Sequence, residues 1–482
     1  MADTKRYIIG HRRGPRLDPK STRELDTFIA ENADARSVRK TKVGRQVVEM
    51  TEEQARDLAG KNPDLVIEED QELKMYGMPG IPPRVPSAAE AVAFPVVVKD
   101  ANTGAPVPNV TIYGIGAAEV AYKAVTDEKG QATLQSYEPT LVQIIASPLD
   151  TYWSKAVSNV KAQGKKHLEI TVKPLLSNGA YDWGQRIMGF RQANRSWTGR
   201  EVKVGIIDSG ISDKNKSVTA AGGYNAIDGA DPNSWNVDEK GHGTHVAGII
   251  AAHDEQRSVL GGAPDASVYS LKIFPGGFLS DLVESVEWCI SSKLDIISMS
   301  LGVPNPSQVL AGVLRDAYDR GITCVAAAGN ESAAVAYPAA IPTVIAVGAI
   351  GCFGTFPEDS AHMLKVSRTL DWRGGLFAAK FTNFGPEVAV CAPGVAILST
   401  VPTGYAAWDG TSMACPMISA LVALMLEAYP GSRTGDAQQP EFVRAMLAQA
   451  AYNLGMPPQI QGHGLPLAPR ALASAQPAPG RW

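Results

Sequence analysis

The chain from about residue 176 to residue 470 alternates short, mainly apolar runs with longer stretches of helical spacing. Strands are predicted at residues 202–208, 268–274, 295–300, 322–328 and 343–350, and helices at residues 242–252, 281–291, 308–320 and 413–426. The apolar runs contain few polar positions, as expected of strands that are covered on both faces. The alternation therefore predicts an α/β domain with a doubly wound parallel sheet and helices on both faces.

Residues 1–76 have a different pattern, which predicts a small α+β domain. Strands are expected at residues 7–9, 45–50 and 64–68, and helices at residues 21–33 and from residue 52 onward. Thr51-Glu52-Glu53-Gln54 has the spacing of a capping box, which marks the start of the second helix. This segment carries no set of residues that suggests catalysis, and a proline-rich linker follows it at residues 77–92.

Residues 93–175 alternate apolar and polar positions over short stretches that turn sequences separate. Asp100-Ala101-Asn102-Thr103-Gly104 is one such turn, and residues 126–134 have the pattern of strand, turn and strand. Several short strands at this spacing predict a β-sandwich. The segment resembles transthyretin-like and carboxypeptidase-regulatory-like modules. It shows no catalytic residues, so we expect a spacer or binding role. At the other end of the chain, residues 471–482 are rich in proline and alanine and are predicted to form a flexible tail.

Composition narrows the possible functions. The 482 residues carry a formal net charge of −4 and no long basic run, which argues against a nucleic-acid partner. No apolar run suggests a membrane span, and the N-terminal stretch lacks the apolar region of a secretory signal. The five cysteines, several of them in apolar runs, indicate buried free thiols in a reducing compartment. We therefore expect a cytoplasmic protein, or one that is released without a signal peptide.

Four polar residues lie where catalytic groups are expected in a parallel α/β sheet, at strand ends and helix starts. Asp208 and Asn330 each follow an apolar run, and His242 opens a predicted helix. Ser412 stands at the start of a second helix that is apolar almost all round. Unpaired backbone N–H groups and the helix dipole at such a position suit a nucleophilic serine and the oxyanion that it forms.

Each of these residues also has a simpler interpretation. Asp208 can belong to an Asp-Ser-Gly turn, and Ser412 can be an ordinary helix cap. His242 and His245 lie three residues apart and can form a metal pair, although the glutamate of a hydrolytic His-Glu-x-x-His zinc motif is missing. The combination of Asp, His, Asn and Ser in one order on one fold favours catalysis.

Together these segments resemble the active-site signatures of the subtilases, the subtilisin-type serine endopeptidases, which have this order of residues. The resemblance covers roughly residues 180–470 and rests on Val204-Gly205-Ile206-Ile207-Asp208-Ser209-Gly210, Gly241-His242-Gly243-Thr244-His245-Val246-Ala247-Gly248, Ala326-Ala327-Ala328-Gly329-Asn330 and Gly410-Thr411-Ser412-Met413-Ala414-Cys415-Pro416. It implies that Ser412 attacks the scissile carbonyl, that His242 is the general base and acid, and that Asp208 orients His242. It further implies an oxyanion hole of Asn330 and the Ser412 backbone N–H, a structural His245, and chemistry that requires no cofactor.

The resemblance also implies a substrate cleft and a role for the N-terminal domain. Ser300-Leu301-Gly302 and Ala327-Ala328-Gly329 would bind a protein or peptide substrate as an added extended strand, with a pocket for a large apolar side chain. Residues 1–76 would be a propeptide that inhibits its own enzyme, with Glu68-Glu69-Asp70 preceding a tail that ends at Tyr76. We therefore expect a latent zymogen that cuts itself between Tyr76 and Gly77.

Three features depart from the familiar pattern of the family. The loop at residues 252–260 has the length of the family's calcium loop, but Ser217 replaces a carboxylate ligand and Arg257 adds a positive charge, which argues against calcium there. Residues 352–380 form a longer connection than usual, which is either a regulatory or specificity loop or a plain surface insertion. The third feature is the β-sandwich itself.

Because of that β-sandwich, one alternative is a catalytically silent scaffold that keeps the subtilase fold and acts through the sandwich. A serine esterase would share the chemistry of a peptidase. The peptide-binding segments and the propeptide-like domain argue against an esterase.

Overall fold

A computed structural model of the chain describes residues 3–11, 19–32, 35–41, 45–75, 91–117, 120–162, 164, 166–175, 181–254, 259–371 and 373–475. Tyr76, Gly77 and most of the predicted linker at residues 77–92 lie outside the described residues, as does Arg257. Three groups of helices and strands follow one another along the chain.

The N-terminal group is a small α+β unit. Its elements are β1 (Thr4–His11), α1 (Pro19–Glu31), β2 (Arg36–Lys40), β3 (Gln46–Thr51), α2 (Glu52–Lys61), β4 (Leu65–Glu69) and β5 (Lys74–Met75). Strands β1 to β4 form an antiparallel sheet in the order β2-β3-β1-β4, and both helices contribute buried residues to its core. The predicted capping box of α2 is present, since Thr51 and Gln54 exchange side-chain and backbone hydrogen bonds. Strand β2 was not predicted, because it is a polar edge strand without an apolar pattern.

The second group consists of two facing sheets around one core. Its elements are β6 (Val92–Asp100), β7 (Thr111–Ile115), β8 (Ala121–Val125), β9 (Gln131–Ser136), β10 (Thr140–Ser147), β11 (Lys155–Lys161) and β12 (Leu168–Val172). One sheet has the order β11-β10-β7-β8 and the other the order β12-β6-β9. Buried side chains from both sheets, such as Val96 and Ile144, share a single core. We call this unit, residues 91–175, the β-sandwich.

The third group begins at Tyr181. Its elements are α3 (Trp183–Ile187), α4 (Phe190–Ala193), β13 (Lys203–Asp208), β14 (Gly222–Asn225), α5 (His242–Ala251), β15 (His253–Asp254), β16 (Val259–Leu260), β17 (Ser267–Lys272), α6 (Leu279–Ser291), β18 (Ile296–Met299), β19 (Leu301–Gly302), α7 (Gln308–Asp319), β20 (Thr323–Ala327), β21 (Val344–Cys352), β22 (Val366–Asp371), β23 (Leu376–Ala379), β24 (Val388–Pro393), β25 (Ile397–Val401), β26 (Gly404–Trp408), α8 (Thr411–Ala428), α9 (Gln438–Ala450), β27 (Ala451–Tyr452), α10 (Pro458–Gln461), β28 (Leu465–Pro466) and α11 (Ala468–Ala471).

The central sheet of this group has the order β14-β17-β13-β18-β20-β21-β23-β22, and β24 also pairs with β21. The pairs from β14 to β21 and the β21–β24 pair are parallel, whereas β22 and β23 run antiparallel. Helices α5 and α8 belong to the core on one face, and α6 and α7 to the core on the other. The predicted doubly wound α/β fold is therefore confirmed.

Helix α8 is the centre of the larger core. Every residue in it except Glu427 is buried. By length and composition it is the one helix of the described part that could cross a membrane, but 94% of it is buried inside the protein. A core helix passes that test equally well, so the apolarity of α8 reflects its position in the core.

Residues 352–380 contribute β22 and β23, which extend the central sheet. One prediction about chain organisation needs correction. The flexible tail predicted from residue 471 starts too early. Ala471 and Leu472 are buried, and the Tyr429 hydroxyl donates to the Ala471 carbonyl at 3.0 Å. Apolar packing therefore holds the described chain up to Ala475, despite its alanine-rich composition.

Candidate active site

Asp208 and His242 form a buried pair at the carboxyl edge of the sheet. Asp208 is the last residue of β13, and His242 is the first residue of α5. Nδ1 of His242 lies 2.8 Å from Oδ1 and 3.0 Å from Oδ2 of Asp208, so an Nδ1–H group can donate to the carboxylate. Oδ1 also accepts a hydrogen bond from the Ser209 backbone N–H at 2.7 Å. A proton held on Nδ1 makes Nε2 the basic nitrogen of the ring.

Asp238 fixes the loop after β13 against the start of α5. Its Oδ1 accepts from the Gly241 N–H and from the Ser209 hydroxyl, both at 2.8 Å. Its Oδ2 accepts from the Thr244 N–H and hydroxyl at 2.9 and 2.6 Å. This carboxylate therefore satisfies first-turn donors of α5 and holds the strand end beside the helix start.

Gly243 is required for the close approach of these two segments. A Cβ atom at this position would lie 2.1 Å from the Gly210 carbonyl oxygen, which no side chain could tolerate. The second residue of α5 can thus pack directly on the loop that follows Asp208.

Ser412 lies in the first turn of α8 and is fully buried. Its hydroxyl lies 3.3 Å from the Ser300 carbonyl oxygen, and the Ser300 hydroxyl donates to the Ser412 carbonyl at 2.9 Å. Ser300 directly follows β18, so the sheet and the helix start are joined by a reciprocal pair of contacts. The packed core helix behind Ser412 gives the residue a rigid support.

Asn330 reaches the same helix start from the end of β20. Its side-chain oxygen accepts from the Thr411 N–H at 2.9 Å and from the Thr411 hydroxyl at 2.8 Å. The amide nitrogen therefore points away from Thr411. A Cβ atom added to Gly410 would lie 3.3 Å from the Asn330 Nδ2 and 3.5 Å from the Ser412 backbone nitrogen. Two N–H donors thus border one small volume beside Ser412.

A backbone carbonyl and a tryptophan ring hold His245 in place. Its Nε2 lies 3.0 Å from the Ala406 carbonyl oxygen, and its ring stacks on Trp408 at 4.6 Å. Burial lowers the pKa of His245 to about 3, so the ring is neutral at physiological pH. No group of three or more His, Cys, Asp or Glu side chains suited to a metal occurs among the described residues.

The predicted cleft segments lie on two sides of Ser412. Leu301 and Gly302 form β19, which pairs antiparallel with β5 of the N-terminal unit, Leu301 opposite Met75 and Gly302 opposite Lys74. Ala327 and Ala328 are buried, and Gly329 donates its N–H to the Thr411 hydroxyl at 3.2 Å. The Ser300 hydroxyl, which donates to the Ser412 carbonyl, holds the start of α8 against the sheet.

A family model for the subtilase family matches residues 199–464, more than half of the chain. This chain belongs to the subtilase family. Subtilisin DY of Bacillus licheniformis is 39% identical over 270 residues, which cover 54% of this chain and 87% of that protein. A thermostable alkaline protease of Halalkalibacterium halodurans is 34% identical over 320 residues, 65% of this chain and 78% of that protein. Subtilisin E of Bacillus subtilis is 39% identical over 248 residues, 49% of this chain and 58% of that protein.

The chain is therefore a subtilisin-like serine endopeptidase, a hydrolase, as the sequence predicted. Catalysis in subtilases needs no cofactor, so this part of the prediction also agrees with the family.

In this subtilase the N-terminal unit caps two helices of the large domain. The Glu68 carboxylate accepts from the Ser307 hydroxyl at 2.5 Å and from the Gln308 N–H at 2.6 Å, at the start of α7. The Asp70 carboxylate accepts from the Ser280 N–H at 2.8 Å and hydroxyl at 2.9 Å, at the start of α6. Both carboxylates meet the positive ends of helix dipoles.

Buried ion pairs add to this contact. Arg39 lies 2.8 Å from Asp281, and Arg45 pairs with Glu287. Burial raises the pKa of Asp281 to about 6, while the Arg39 charge opposes that rise. The N-terminal unit thus contacts the large domain through charges that are removed from water.

The sequence pattern did not identify Asp238, Asn383 or Trp408. Asp238 had a usable signal, since an aspartate just before a predicted helix often caps it. Asn383 had no such signal. It holds the segment that follows Asn330, because its Nδ2 donates to the Ala334 carbonyl at 2.9 Å and its Oδ1 accepts from the Glu331 N–H at 2.8 Å. Trp408 precedes the serine signature, but only the fold brings it against His242, at 6.2 Å between rings.

The neutral state of His245 predicts a specific dependence of stability on pH. Its folded pKa, about 3, lies below the value of about 6.5 for an unfolded histidine. Between pH 3 and pH 6.5 the unfolded chain binds a proton at His245 that the folded chain does not bind. The stability that comes from the neutral His245 is therefore fully present above pH 6.5 and is lost as the pH falls toward 3. His245→Gln keeps an N–H donor for Ala406 and removes the titration. In a Ser412→Ala background, which prevents self-digestion, we expect the variant to lose less stability than wild type between pH 7.5 and 4.5, by about 3 kcal/mol.

Thermal unfolding at both pH values measures this difference. Equal losses in the two proteins would show that His245 does not titrate on unfolding in the expected way.

Proposed function

We propose that this endopeptidase hydrolyses peptide bonds with a catalytic triad of Asp208, His242 and Ser412. His242 Nε2 takes the proton of the Ser412 hydroxyl as its oxygen attacks the scissile carbonyl carbon. The tetrahedral intermediate collapses to an acyl-enzyme when His242 protonates the leaving amine, and water completes hydrolysis by the reverse proton path. The observation that carries this proposal is the Asp208–His242 contact at 2.8 Å, which holds the imidazole in one tautomer and stabilises its charged form.

We place the oxyanion between the Asn330 side-chain amide and the Ser412 backbone N–H. Support comes from the small volume beside Gly410 that these two nitrogens border. The Asn330 oxygen is engaged by Thr411, so the amide donor is oriented before a substrate arrives. A donor that is already oriented stabilises developing negative charge without the cost of reorganisation.

The substrate would bind as an extended strand between Ser300-Leu301-Gly302 and Ala327-Ala328-Gly329. The pairing of β5 with β19 supports this, because a segment of the same chain already occupies that strand position. Backbone hydrogen bonds would supply affinity, and the small residues beside Ser412 would admit a large apolar side chain. The substrates of this protein are proteins or peptides with such a residue before the cut bond.

The N-terminal unit would be the propeptide and intramolecular inhibitor of a zymogen. Its carboxylates cap α6 and α7, and its last described residues lie along β19. Tyr76 directly follows Met75 in the sequence, and self-cleavage would occur between Tyr76 and Gly77. The five free cysteines, four of them buried, support a reducing site of action such as the cytoplasm. Structural calcium is not part of this proposal.

The triad is tested by Ser412→Ala. Without the hydroxyl no acyl-enzyme can form, and we expect the cleavage of a chromogenic peptide to fall by about 10⁶-fold, the size of the loss known for a subtilisin. Ser432→Ala, in the short turn that follows α8, is the matched control and should keep wild-type rates. Unchanged cleavage by purified Ser412→Ala protein would end the proposal.

Self-cleavage is tested by the N-terminal sequence of the active protein. We expect Gly77 as the first residue in wild type, and intact precursor in Ser412→Ala. Intact mass gives an independent measurement of both products. A mature start well after residue 92, or the same cut in Ser412→Ala, would contradict the proposed autoprocessing.

A further inference from the structure

A short segment of the β-sandwich, Asp150–Trp153, contacts the catalytic domain at two places. The first is the β25–β26 hairpin. The Thr151 N–H donates to the Tyr405 carbonyl at 2.9 Å, and the Thr403 hydroxyl donates to the Asp150 carboxylate at 2.6 Å. We call Asp150–Trp153 the docking segment.

The second place is the connection at residues 352–380. The Trp153 ring meets the His362 ring edge to face, with 5.5 Å between centroids and 86° between planes. Phe356 packs on the same histidine at 5.7 Å. Around this contact, Asp359 pairs with Lys155 and lies 3.5 Å from Lys173. The connection is thus held between the sandwich and the sheet.

His362 contacts Asp409, a residue of the turn before Ser412. Its Nδ1 lies 2.7 Å from Oδ1 of Asp409, and both side chains are largely buried, with 3% and 14% exposed. Asp409 also accepts from the Ala396 N–H at 2.8 Å. Burial alone would raise the pKa of Asp409, but the charge and hydrogen bond of His362 bring it below its ordinary value. Asp409 stands three residues before Ser412.

The contact between the docking segment and the β25–β26 hairpin leads to the same turn before Ser412. Strand β26 ends at Trp408, whose ring stacks on His245 and lies parallel to His242 at 6.2 Å. The docking segment therefore reaches both residues that precede Gly410, Trp408 through the hairpin and Asp409 through His362. A buried hydrogen bond between two side chains fixes one arrangement of the groups around it, since a buried polar group left without its partner is costly.

We propose that the β-sandwich positions the catalytic serine: Trp153 holds His362, His362 holds Asp409, and Asp409 fixes the turn that presents Ser412. His362 and Trp153 are positioning residues and touch no reacting atom. The proposal rests on the proposed role of Ser412 as nucleophile. It assigns the sandwich and the connection at residues 352–380 a common purpose in catalysis, beyond that of a spacer or an independent binding module.

The test compares kcat and KM of the full chain after self-processing, with the active sites titrated so that only competent enzyme is counted. His362→Ala should lower kcat by about tenfold or more and leave KM within about twofold, because a small misplacement of a reacting group slows chemistry more than binding. His362→Asn places an amide N–H where Nδ1 was and should restore most of kcat. A merely structural histidine would give loss of active sites without a change in kcat per site.

The link to the sandwich is tested by Trp153→Ala in two backgrounds. In wild type it should lower kcat severalfold, and in His362→Ala it should have no further effect, because both residues act through Asp409. Trp153→Phe keeps an aromatic edge and should stay near wild type. Lys173→Ala removes a contact at the same interface that does not lead to Asp409, and it is the control that should change neither kcat nor KM.

Three results would overturn the proposal: an unchanged kcat in His362→Ala, a loss in His362→Asn equal to that in His362→Ala, or full additivity of Trp153→Ala and His362→Ala. Failure of the triad is a separate outcome, since it requires an active Ser412→Ala protein. If Ser412→Ala is inactive and His362→Ala has full kcat, only the positioning role fails.

Discussion

The structure of this active site depends on one buried contact between a strand end and a helix start, the pair of Asp208 and His242. Removing an ionised carboxylate from water is costly unless hydrogen bonds replace its hydration. Here His242 Nδ1 and the Ser209 N–H supply them. Asp238 and Gly243 then hold the two segments close enough for the contact to form. The pair can form because the end of β13 and the start of α5 lie at the same edge of the parallel sheet.

The other groups of the candidate site also lie where strands end or helices begin. Asn330 and Ser300 follow neighbouring strands, and Ser412 lies in the first turn of α8, which is buried except for Glu427. Each of these three side chains hydrogen-bonds to a backbone group of another segment, so the fold as a whole positions them. The N-terminal unit uses helix starts in a similar way, through Glu68 and Asp70.

Sequence alone predicted the parts of this arrangement that depend on local patterns. The alternation of apolar runs and helices gave the α/β fold, and the signatures around Asp208, His242, Asn330 and Ser412 gave the candidate site. Contacts between distant segments carry no such pattern. His362 and Asp409 are 47 residues apart, and Trp153 lies in a different unit, so only the folded chain brings them together. The polar edge strand β2 and the packed residues beyond Ala471 were missed because composition does not reveal pairing partners.

We propose that Asp208 activates Ser412 through His242. The rate at which a fluorophosphonate labels Ser412 measures that activation directly, because the probe reacts with an activated serine and needs no peptide-binding site. We predict rapid labelling of the processed wild-type enzyme and labelling slower by about 10⁴-fold in Asp208→Asn, the loss known for the same change in a serine protease of unrelated fold. Labelling of Asp208→Asn at the wild-type rate would contradict the account.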